Sequence, residues 1–283
     1  MLYEFCAENL TNVEAALKAG ARRIELCDNL AVGGTTPSAG VIEQAVALIH
    51  KHEGATVRAI IRPRGGDFVY SKVEFKAMET DIRYAGANGV DGVVIGCLKR
   101  NGSGDGFELD REGTERLVKV AQSVGEMRGR ELGITFHMAF DALDPQAQLD
   151  AIDVLAELGV DRILTHGDAA GTPIEDNLDR LKACIDRAGS RLVILPGGGI
   201  TYENAPAVAS ALGVTELHGT KIVACRGALW SGVLGCPHRL SKTQRFPWRS
   251  IAARPRSTSL ASAARSRSVS RLITRPKVAA SSC

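Results

Sequence analysis

Short apolar runs alternate with longer amphipathic stretches along about the first 220 residues of the chain. The short runs have the length and composition of buried strands, and the longer ones carry apolar residues at helical spacing. We predict strands over Leu2–Cys6, Arg23–Cys27, Thr56–Arg62, Gly92–Cys97, Gly133–His137, Arg162–His166, Arg191–Pro196 and Thr215–His218. We predict helices near residues 11–19, 38–52, 72–87, 110–126, 146–158, 174–188 and 201–211.

This alternation predicts the fold class. Eight strands that each lead into a helix are typical of an α/β fold, the (β/α)8 TIM-like barrel with parallel strands. A doubly wound open sheet is the alternative. Against it, no Gly-x-Gly-x-x-Gly motif follows the first strand, where a dinucleotide-binding fold would have it. We therefore predict the barrel, with no nucleotide cofactor.

Several of the helices have recognisable start signals. Thr11 with Glu14, and Ser71 with Glu74, fit the capping box, in which a hydroxyl and a carboxylate bond the first turn. Ser38 follows a glycine-rich loop and has the residue type of a helix cap. These signals predict where three of the helices begin.

Polar residues of the predicted strands fall on one face. In the first two strands Tyr3, Phe5, Ile24 and Leu26 alternate with Glu4, Cys6, Glu25 and Cys27. Strands three, five and eight place Arg58, Arg62, Thr135, His137, Glu216 and His218 in the same way. The outer face of a barrel strand packs on helices, so we expect the polar set to point inward. Charges are tolerated there where they pair or serve a site.

Two neighbouring strands end on Glu-x-Cys. Equivalent inner positions would bring Cys6 and Cys27 close together, and two thiolates suit a soft ion such as Cu(I). The alternative interpretation is that both are small buried hydrophobic residues, as free cysteines often are. The spacing alone leaves both interpretations open.

The most specific string of the chain is Ile61-Arg62-Pro63-Arg64-Gly65-Gly66-Asp67-Phe68. The proline fixes the backbone, and the two glycines allow a ligand to approach it closely. Paired arginines suit the recognition of carboxylates or phosphates, so Arg62 and Arg64 are candidate anion-binding residues. Internal pairing with Glu4 or Glu25 is the structural alternative.

Two glycine-rich turns follow the last two predicted strands and contain Gly197, Gly198, Gly199 and Gly219. Barrels often bind phosphate at this place through backbone N–H groups, so these four are further candidate anion-binding residues. Glycine-rich turns also serve packing alone, which leaves the alternative open.

Three of the six histidines, His137, His166 and His218, end predicted strands. An imidazole titrates near neutral pH and can act as a general base or a metal ligand. Together with Glu4 and Glu25, His137 is a candidate catalytic residue for proton transfer. Each histidine taken alone also fits a structural role.

The formal net charge of +3 is an average over two unlike parts. Residues 224–283 carry twelve Arg and Lys and no Asp or Glu, which leaves 23 basic and 32 acidic groups in residues 1–223. An acidic body thus precedes a basic tail. The charge gives no support to nucleic-acid binding by the body, and only the tail would attract RNA or DNA.

The composition limits the class of protein and the cellular compartment to which the chain can belong. Hydrophobic residues make up 45% and charged residues 24%, which is typical of a globular chain with a sizeable core. No apolar run reaches the roughly 18–20 residues of a membrane span, and Glu4, Glu8 and Glu14 interrupt any signal peptide. The seven cysteines form no Cys-x-x-Cys pair. We therefore predict reduced thiols and a cytoplasmic location.

Between residue 1 and about residue 222, the chain carries in this order the strings YEFC, RIELCDNLAVGGTTPSAGV, IRPRGGDFVYS, TFHMAFD, RILTHG, GGGIT and ELHGT. These strings resemble the CutC family. The resemblance implies a (β/α)8-like barrel, a cytosolic location and a role in copper homeostasis through Cu(I) binding. It also implies that Cys6 and Cys27, which match the proposed copper ligands of the family, bind the metal.

We therefore predict a CutC-like TIM barrel over residues 1–222 and an Arg/Ser-rich tail over residues 223–283. The tail has no periodic apolar face, so we predict that it is disordered. Its abrupt change of composition is typical of a frameshifted reading of a GC-rich gene, and a nucleic-acid-binding tail is the alternative. The eighth covering helix is missing or replaced by Ala224–Leu234, which predicts a poorly closed barrel between strands eight and one.

Two functions stay open at this point. The first is a Cu(I)-binding protein of copper homeostasis. The second is a TIM-barrel enzyme that acts on a small substrate with a phosphate or carboxylate group, bound by Arg62 and Arg64. The sequence gives neither a reaction nor an oligomeric state, and a homo-oligomer is among the states it allows.

Overall fold

The computed structural model describes residues 1–168 and 171–225. The strands are β1 (Leu2–Glu8), β2 (Arg23–Cys27), β3 (Thr56–Ile60), β4 (Gly92–Ile95), β5 (Leu98–Arg100), β6 (Phe107–Leu109), β7 (Gly133–Phe136), β8 (Arg162–Thr165), β9 (Val193–Pro196) and β10 (Glu216–Gly219). The α-helices are α1 (Val13–Lys18), α2 (Ala39–Ile49), α3 (Lys72–Ala87), α4 (Arg111–Met127), α5 (Pro145–Glu157), α6 (Leu178–Ala188) and α7 (Ala205–Leu212).

Eight parallel strands form a nearly closed barrel in the order β10-β1-β2-β3-β4-β7-β8-β9. Helices follow the strands and cover the outer face, as the alternating pattern predicts, so the (β/α)8 fold is confirmed. The antiparallel pair β5–β6 is an addition that the sequence analysis missed. Its strands are three residues long, too short for a periodic pattern to stand out.

The barrel is open at a different place from the predicted one. β10 pairs with β1 in parallel from Leu2 to Phe5, so the predicted gap between the eighth and first strands is wrong. The ends of the hydrogen-bonded order are β9 and β10. A bridge just beyond them joins Thr201 to Lys221, and Tyr202 N–H donates to the Lys221 carbonyl at 2.8 Å. This bridge closes the wall where the strand ladder does not.

The helix starts agree with two of the three predicted signals. Ser71 and Glu74 make the reciprocal capping box of α3, and Ser38 Oγ accepts from the backbone of α2. The predicted box at Thr11 is wrong. Asn12 occupies the cap position of α1 with φ 61° and makes no side-chain cap hydrogen bond.

Strand parity divides the interior as predicted. Outward-facing strand residues join the main apolar core under the helices, among them Phe5, Ile24, Leu26, Ala59 and Ile61. The inward-facing polar residues are nevertheless buried, among them Glu4, Arg23, Glu25, Arg58, His137 and His218. The barrel therefore has an apolar outer layer and a polar interior.

Glycines make room for one of the inner arginines. A Cβ on Gly133 would lie 2.6 Å from Arg58 Nη2, and one on Gly92 would lie 2.9 Å from Arg58 Nη1. The guanidinium lies across β4 and β7 in this space and donates to Thr135 Oγ1 at 3.1 Å. Because Gly92 and Gly133 have no side chains, β3 can place the Arg58 guanidinium inside the barrel.

The predicted disordered tail, with its proposed nucleic-acid binding, lies outside the described residues except for residues 223–225. Within the described part of the chain, no helix is long and apolar enough to cross a membrane.

Candidate metal centre

A charged layer fills the barrel interior near the strand starts. Arg23 lies between two carboxylates and donates to Glu4 and, at 2.7 Å, to Glu216. Arg162 donates to the same Glu216 from Nε at 2.8 Å and from Nη2 at 3.1 Å. These ion pairs satisfy charges that strand parity sends inward. These ion pairs also fix the side chains that lie below His218, Glu25 and the two cysteines.

Three buried side chains form a row that connects this layer to the barrel mouth, namely Glu4, His218 and Glu25. His218 Nδ1 lies 2.8 Å from Glu4 Oε1, and His218 Nε2 lies 3.5 Å from Glu25 Oε2. Burial alone would raise the pKa of Glu4, but Arg23 and His218 outweigh it and hold that pKa well below its usual range. Glu4 is thereby held as a carboxylate. This argues against its predicted use as a proton carrier near neutral pH.

Cys6 and Cys27 lie above this row, with their Sγ atoms 3.9 Å apart. In the ladder between β1 and β2, Cys6 is the partner of Glu25, and Cys27 is the partner of Glu8 two residues further on. The two Sγ atoms and a Glu25 carboxylate oxygen all lie within 4.8 Å of one another. The structure thus brings both predicted metal ligands and one predicted catalytic residue into one buried cluster.

The cluster gives its two thiols unequal acidity. The hydrogen bond with Cys27, supported by His218 and Glu25, lowers the pKa of Cys6 to about 5. The same hydrogen bond and burial raise the pKa of Cys27, and burial followed by the Cys6 charge raises that of Glu25. The pair thus favours ionisation of Cys6 over that of Cys27, and the thiolate is the form of cysteine that binds metals.

The backbone spacing favours a bridging metal over a disulfide. Cys6 and Cys27 are offset by two positions along neighbouring strands, which separates their Cα atoms by about 8 Å. Unstrained disulfides need Cα atoms no more than about 7 Å apart. Two metal–sulfur bonds of about 2.3 Å reach across at most about 4.6 Å, and the observed Sγ separation lies within that reach. The pair therefore fits a metal ion better than it fits a covalent bond.

An apolar wall surrounds the thiols. It consists of Ile60 and Val94 from β3 and β4, with Leu30 packed against them from the loop after β2. Gly34 of the same loop lies so close that a Cβ there would be 3.4 Å from Cys27 Sγ. Cys27 is only 1% exposed in consequence. A dry sulfur site suits a soft ion and disfavours hard, hydrated ones such as Mg²⁺.

Arg62 lies at the edge of this loop. Its Nη1 donates to the carbonyls of Val32 and Gly34 at 2.8 and 2.7 Å, and its Nη2 donates to Gly66 at 2.9 Å. None of the ion pairs in the described part of the chain includes Arg62. Pairing with Glu4 or Glu25, the structural alternative from the sequence, is therefore wrong for this arginine.

Arg64 has a different environment. Its Nε donates to Glu74 at 2.5 Å, and its Nη2 donates to Asp67 Oδ1 at 3.1 Å and to Val69 O at 2.8 Å. Its Nη1 donates to the carbonyls of Gly65 and Asp67 at 3.2 and 3.0 Å. All five of its N–H groups thus have partners within the protein, which argues against its predicted anion-binding role.

His137 lies away from the thiol cluster, since β7 is the third strand after β2 in the barrel order. Its ring contacts Phe68 at a centroid distance of 5.0 Å. Burial, followed by the charge of Arg62, lowers the pKa of His137 to about 3. The structure does not join it to Glu4 and Glu25 in one catalytic group, so the three predicted catalytic residues occupy two places.

The predicted anion-binding glycines have packing roles. The carbonyls of Gly197 and Gly198 lie 3.2 and 3.0 Å from His166 Nδ1, and that of Gly199 accepts from Asn204 at 3.1 Å. A Cβ on Gly219 would lie 2.4 Å from a backbone oxygen in the turn after β9. Close packing accounts for Gly197, Gly198 and Gly219, whereas Gly199 has an open surrounding and a left-handed backbone with φ 80°. Anion binding by the four glycines stays a prediction.

Comparison with known proteins agrees with this architecture. The CutC family model matches residues 1–223. A CutC family protein of Enterococcus faecalis is 55% identical over 223 residues, which cover 79% of this chain and 100% of that protein. The human copper homeostasis protein cutC homolog is 38% identical over 218 residues, 77% of this chain and 72% of that protein.

A solved structure leads to the same family. CutC from Streptococcus agalactiae is 43% identical to this chain and superposes with a TM-score of 0.72 over 79% of this chain and 100% of the other. The matched region contains the barrel with the Cys6–Glu25–Cys27 cluster. This chain therefore belongs to the CutC family.

Proposed function

We propose that this chain binds one Cu(I) ion through Cys6 and Cys27, in the cytosol, as its part in copper homeostasis. The observation that supports it most is the Sγ pair 3.9 Å apart on strands whose backbone spacing disfavours a disulfide. The names of the human and mouse relatives point in the same direction, since both are copper homeostasis protein homologs.

The donor set favours Cu(I) over other ions. Thiolates are soft ligands, and Cu(I) accepts a coordination shell of few donors. Zn²⁺ is the competing ion, because it also binds thiolates but prefers four ligands. The two thiols have one carboxylate, that of Glu25, within 4.8 Å. These three donor groups are too few for Zn²⁺, and they are enough for Cu(I).

Each neighbouring side chain has a role in this proposal. Cys6 supplies the thiolate that forms more readily, and Cys27 loses its proton when the ion binds. His218 bonds Glu4 and lies beside Glu25, so it fixes the position of the carboxylate next to the thiols. Glu4 bonds His218 and is itself paired with Arg23, so both act as positioning residues.

A titration tests the proposal. The full-length chain, with Cys225, Cys236 and Cys283 replaced by serine so that only barrel thiols remain competent, is titrated with Cu(I) against a chromophoric chelator without oxygen. We expect one Cu(I) bound per chain, with Zn²⁺ unable to displace it at equal concentration. Failure to compete with the chelator, or displacement by equimolar Zn²⁺, would contradict the proposal.

A further inference from the structure

Two N–H donors at the barrel mouth are buried and make no hydrogen bond within the described structure. They are Arg62 Nε and His137 Nε2. Arg62 is 3% and His137 5% exposed, so water does not compensate either donor from outside. An unpaired buried donor costs free energy, and native folds contain few of them. Two such donors at one end of the barrel point to a ligand that accepts hydrogen bonds.

The geometry makes His137 a donor. Its Nδ1 accepts from the Ala139 backbone N–H at 3.1 Å, and a backbone N–H can only donate. In the neutral ring the proton is then on Nε2, the atom without a partner. The low pKa of His137, caused by burial and by Arg62, keeps the ring neutral at physiological pH. Nε2–H is therefore a fixed, uncharged donor.

Arg62 adds a positive charge that no carboxylate of the described residues pairs with. Three of its N–H groups donate to backbone carbonyls, which carry no net charge. The ion pairs of the described residues give it no acidic partner. Tyr70 lies beside it, but the Tyr70 hydroxyl also makes no hydrogen bond of normal geometry. A buried cation without a carboxylate partner favours an anionic ligand.

The two donors lie beside the same residue near the surface. The Phe68 ring centroid is 5.0 Å from Arg62 Cζ and 5.0 Å from the His137 ring centroid. Gly96 allows this arrangement, because a Cβ there would lie 2.3 Å from the His137 ring. Phe68 is itself partly exposed. A partly exposed ring therefore packs against both of the residues that carry the unpaired donors.

We propose that the barrel mouth binds the carboxylate group of a small molecule between Arg62 and His137, with Arg62 Nε–H and His137 Nε2–H as donors to its two oxygens. One cation and one neutral donor match a singly charged carboxylate better than a doubly charged phosphate. The Arg62 side of the site lies beside the thiol cluster, since Gly34 contacts both Arg62 and Cys27. It does not depend on copper.

A binding titration with sodium acetate tests this site, followed through the backbone NMR signals of Phe68 and Gly96, with sodium chloride at equal ionic strength as the reference. We expect saturable acetate binding by the wild type. His137→Phe should weaken it about 10- to 100-fold, the effect of losing one hydrogen bond to a charged group. His137→Gln, which keeps a donor near the place of Nε2, should retain more binding than His137→Phe. Gly96→Ala should weaken binding by displacing the ring.

Two controls separate this site from its neighbours. Arg111→Gln changes an exposed arginine that pairs with Glu157 away from the barrel mouth, so it should leave acetate affinity unchanged. Cys6→Ser with Cys27→Ser should not weaken it, because it removes negative charge beside Arg62, and this distinguishes failure of this site from failure of the copper proposal. The assignment is overturned if the wild type shows no saturable acetate binding or if folded His137→Phe and Gly96→Ala variants bind like the wild type. Tighter binding of inorganic phosphate than of acetate would overturn the carboxylate preference.

Discussion

Cys6→Ser and Cys27→Ser are each expected to weaken Cu(I) binding by about 100-fold or more. Loss of a residue that only supports a metal ligand costs about 10- to 100-fold, and loss of a ligand itself costs at least as much. A serine hydroxyl is a hard oxygen donor and does not replace a thiolate on Cu(I). The measurement is the chelator competition described above, with all variants made in the background without tail cysteines.

Cys97→Ser is the matched control for these variants. Cys97 is also fully buried, but its Sγ lies 3.3 Å from Thr114 Oγ1 and makes no hydrogen bond with another thiol of the described residues. Its replacement should leave Cu(I) affinity unchanged. If Cys97→Ser weakens binding as much as Cys27→Ser, the effect is one of general destabilisation and the copper site has been misplaced.

Glu4→Gln is expected to lower the free energy of unfolding by about 3–5 kcal/mol. Removing one partner of a buried ion pair leaves the other charge uncompensated, and this is the usual magnitude of that loss. Glu4 is 1% exposed and holds both Arg23 and His218. Glutamine keeps the shape of the side chain, so the loss reports on charge rather than on packing. Urea denaturation of both proteins measures it.

Glu14→Gln provides the comparison for that experiment. Glu14 also pairs with a basic residue, Lys18 at 2.6 Å, but the side chains are 57% and 67% exposed. Exposed pairs one helical turn apart contribute little to stability, because solvent screens them. A Glu4→Gln effect as small as that of Glu14→Gln would show that the inner charges are not a supporting network.

Strand parity was the most informative sequence signal. The two-residue alternation of Glu4 with Phe5, and of Glu25 with Leu26, correctly separated the polar interior from the apolar outer layer. Parity is readable from sequence because a one-residue slip would bury every charge against the helices. The same signal predicted the approach of Cys6 to Cys27, since both lie on the inner face of neighbouring strands, although they are offset by two positions and not at equivalent ones.

Side-chain partners were less predictable than faces. The string around Arg62 and Arg64 presents two similar arginines, yet Arg64 turns to Glu74 on α3 while Arg62 turns into the mouth. The direction of each arginine side chain depends on which carboxylates the fold brings near it, and no local sequence pattern encodes this. His218 shows the same limit, because its position at a strand end gave no sign that it connects Glu4 with Glu25.

Closure of the barrel depended on residues outside the strands. The missing eighth helix suggested a gap beside β1, but main-chain pairing of β10 with β1 needs no helix to form. The wall is completed between β9 and β10 by the Thr201–Lys221 bridge, which lies in turns without periodic character. Such contacts are set by tertiary packing and escape an analysis of periodicity.

X-ray absorption at the copper edge of the Cu(I)-loaded, full-length chain tests the central claim most directly, because it counts the sulfur atoms bound to the ion. With the three tail cysteines replaced by serine, we expect two sulfur neighbours per copper and the loss of that sulfur shell in the Cys6→Ser, Cys27→Ser double variant. A shell of nitrogen or oxygen alone, or a sulfur shell that survives in the double variant, would contradict a copper site at Cys6 and Cys27.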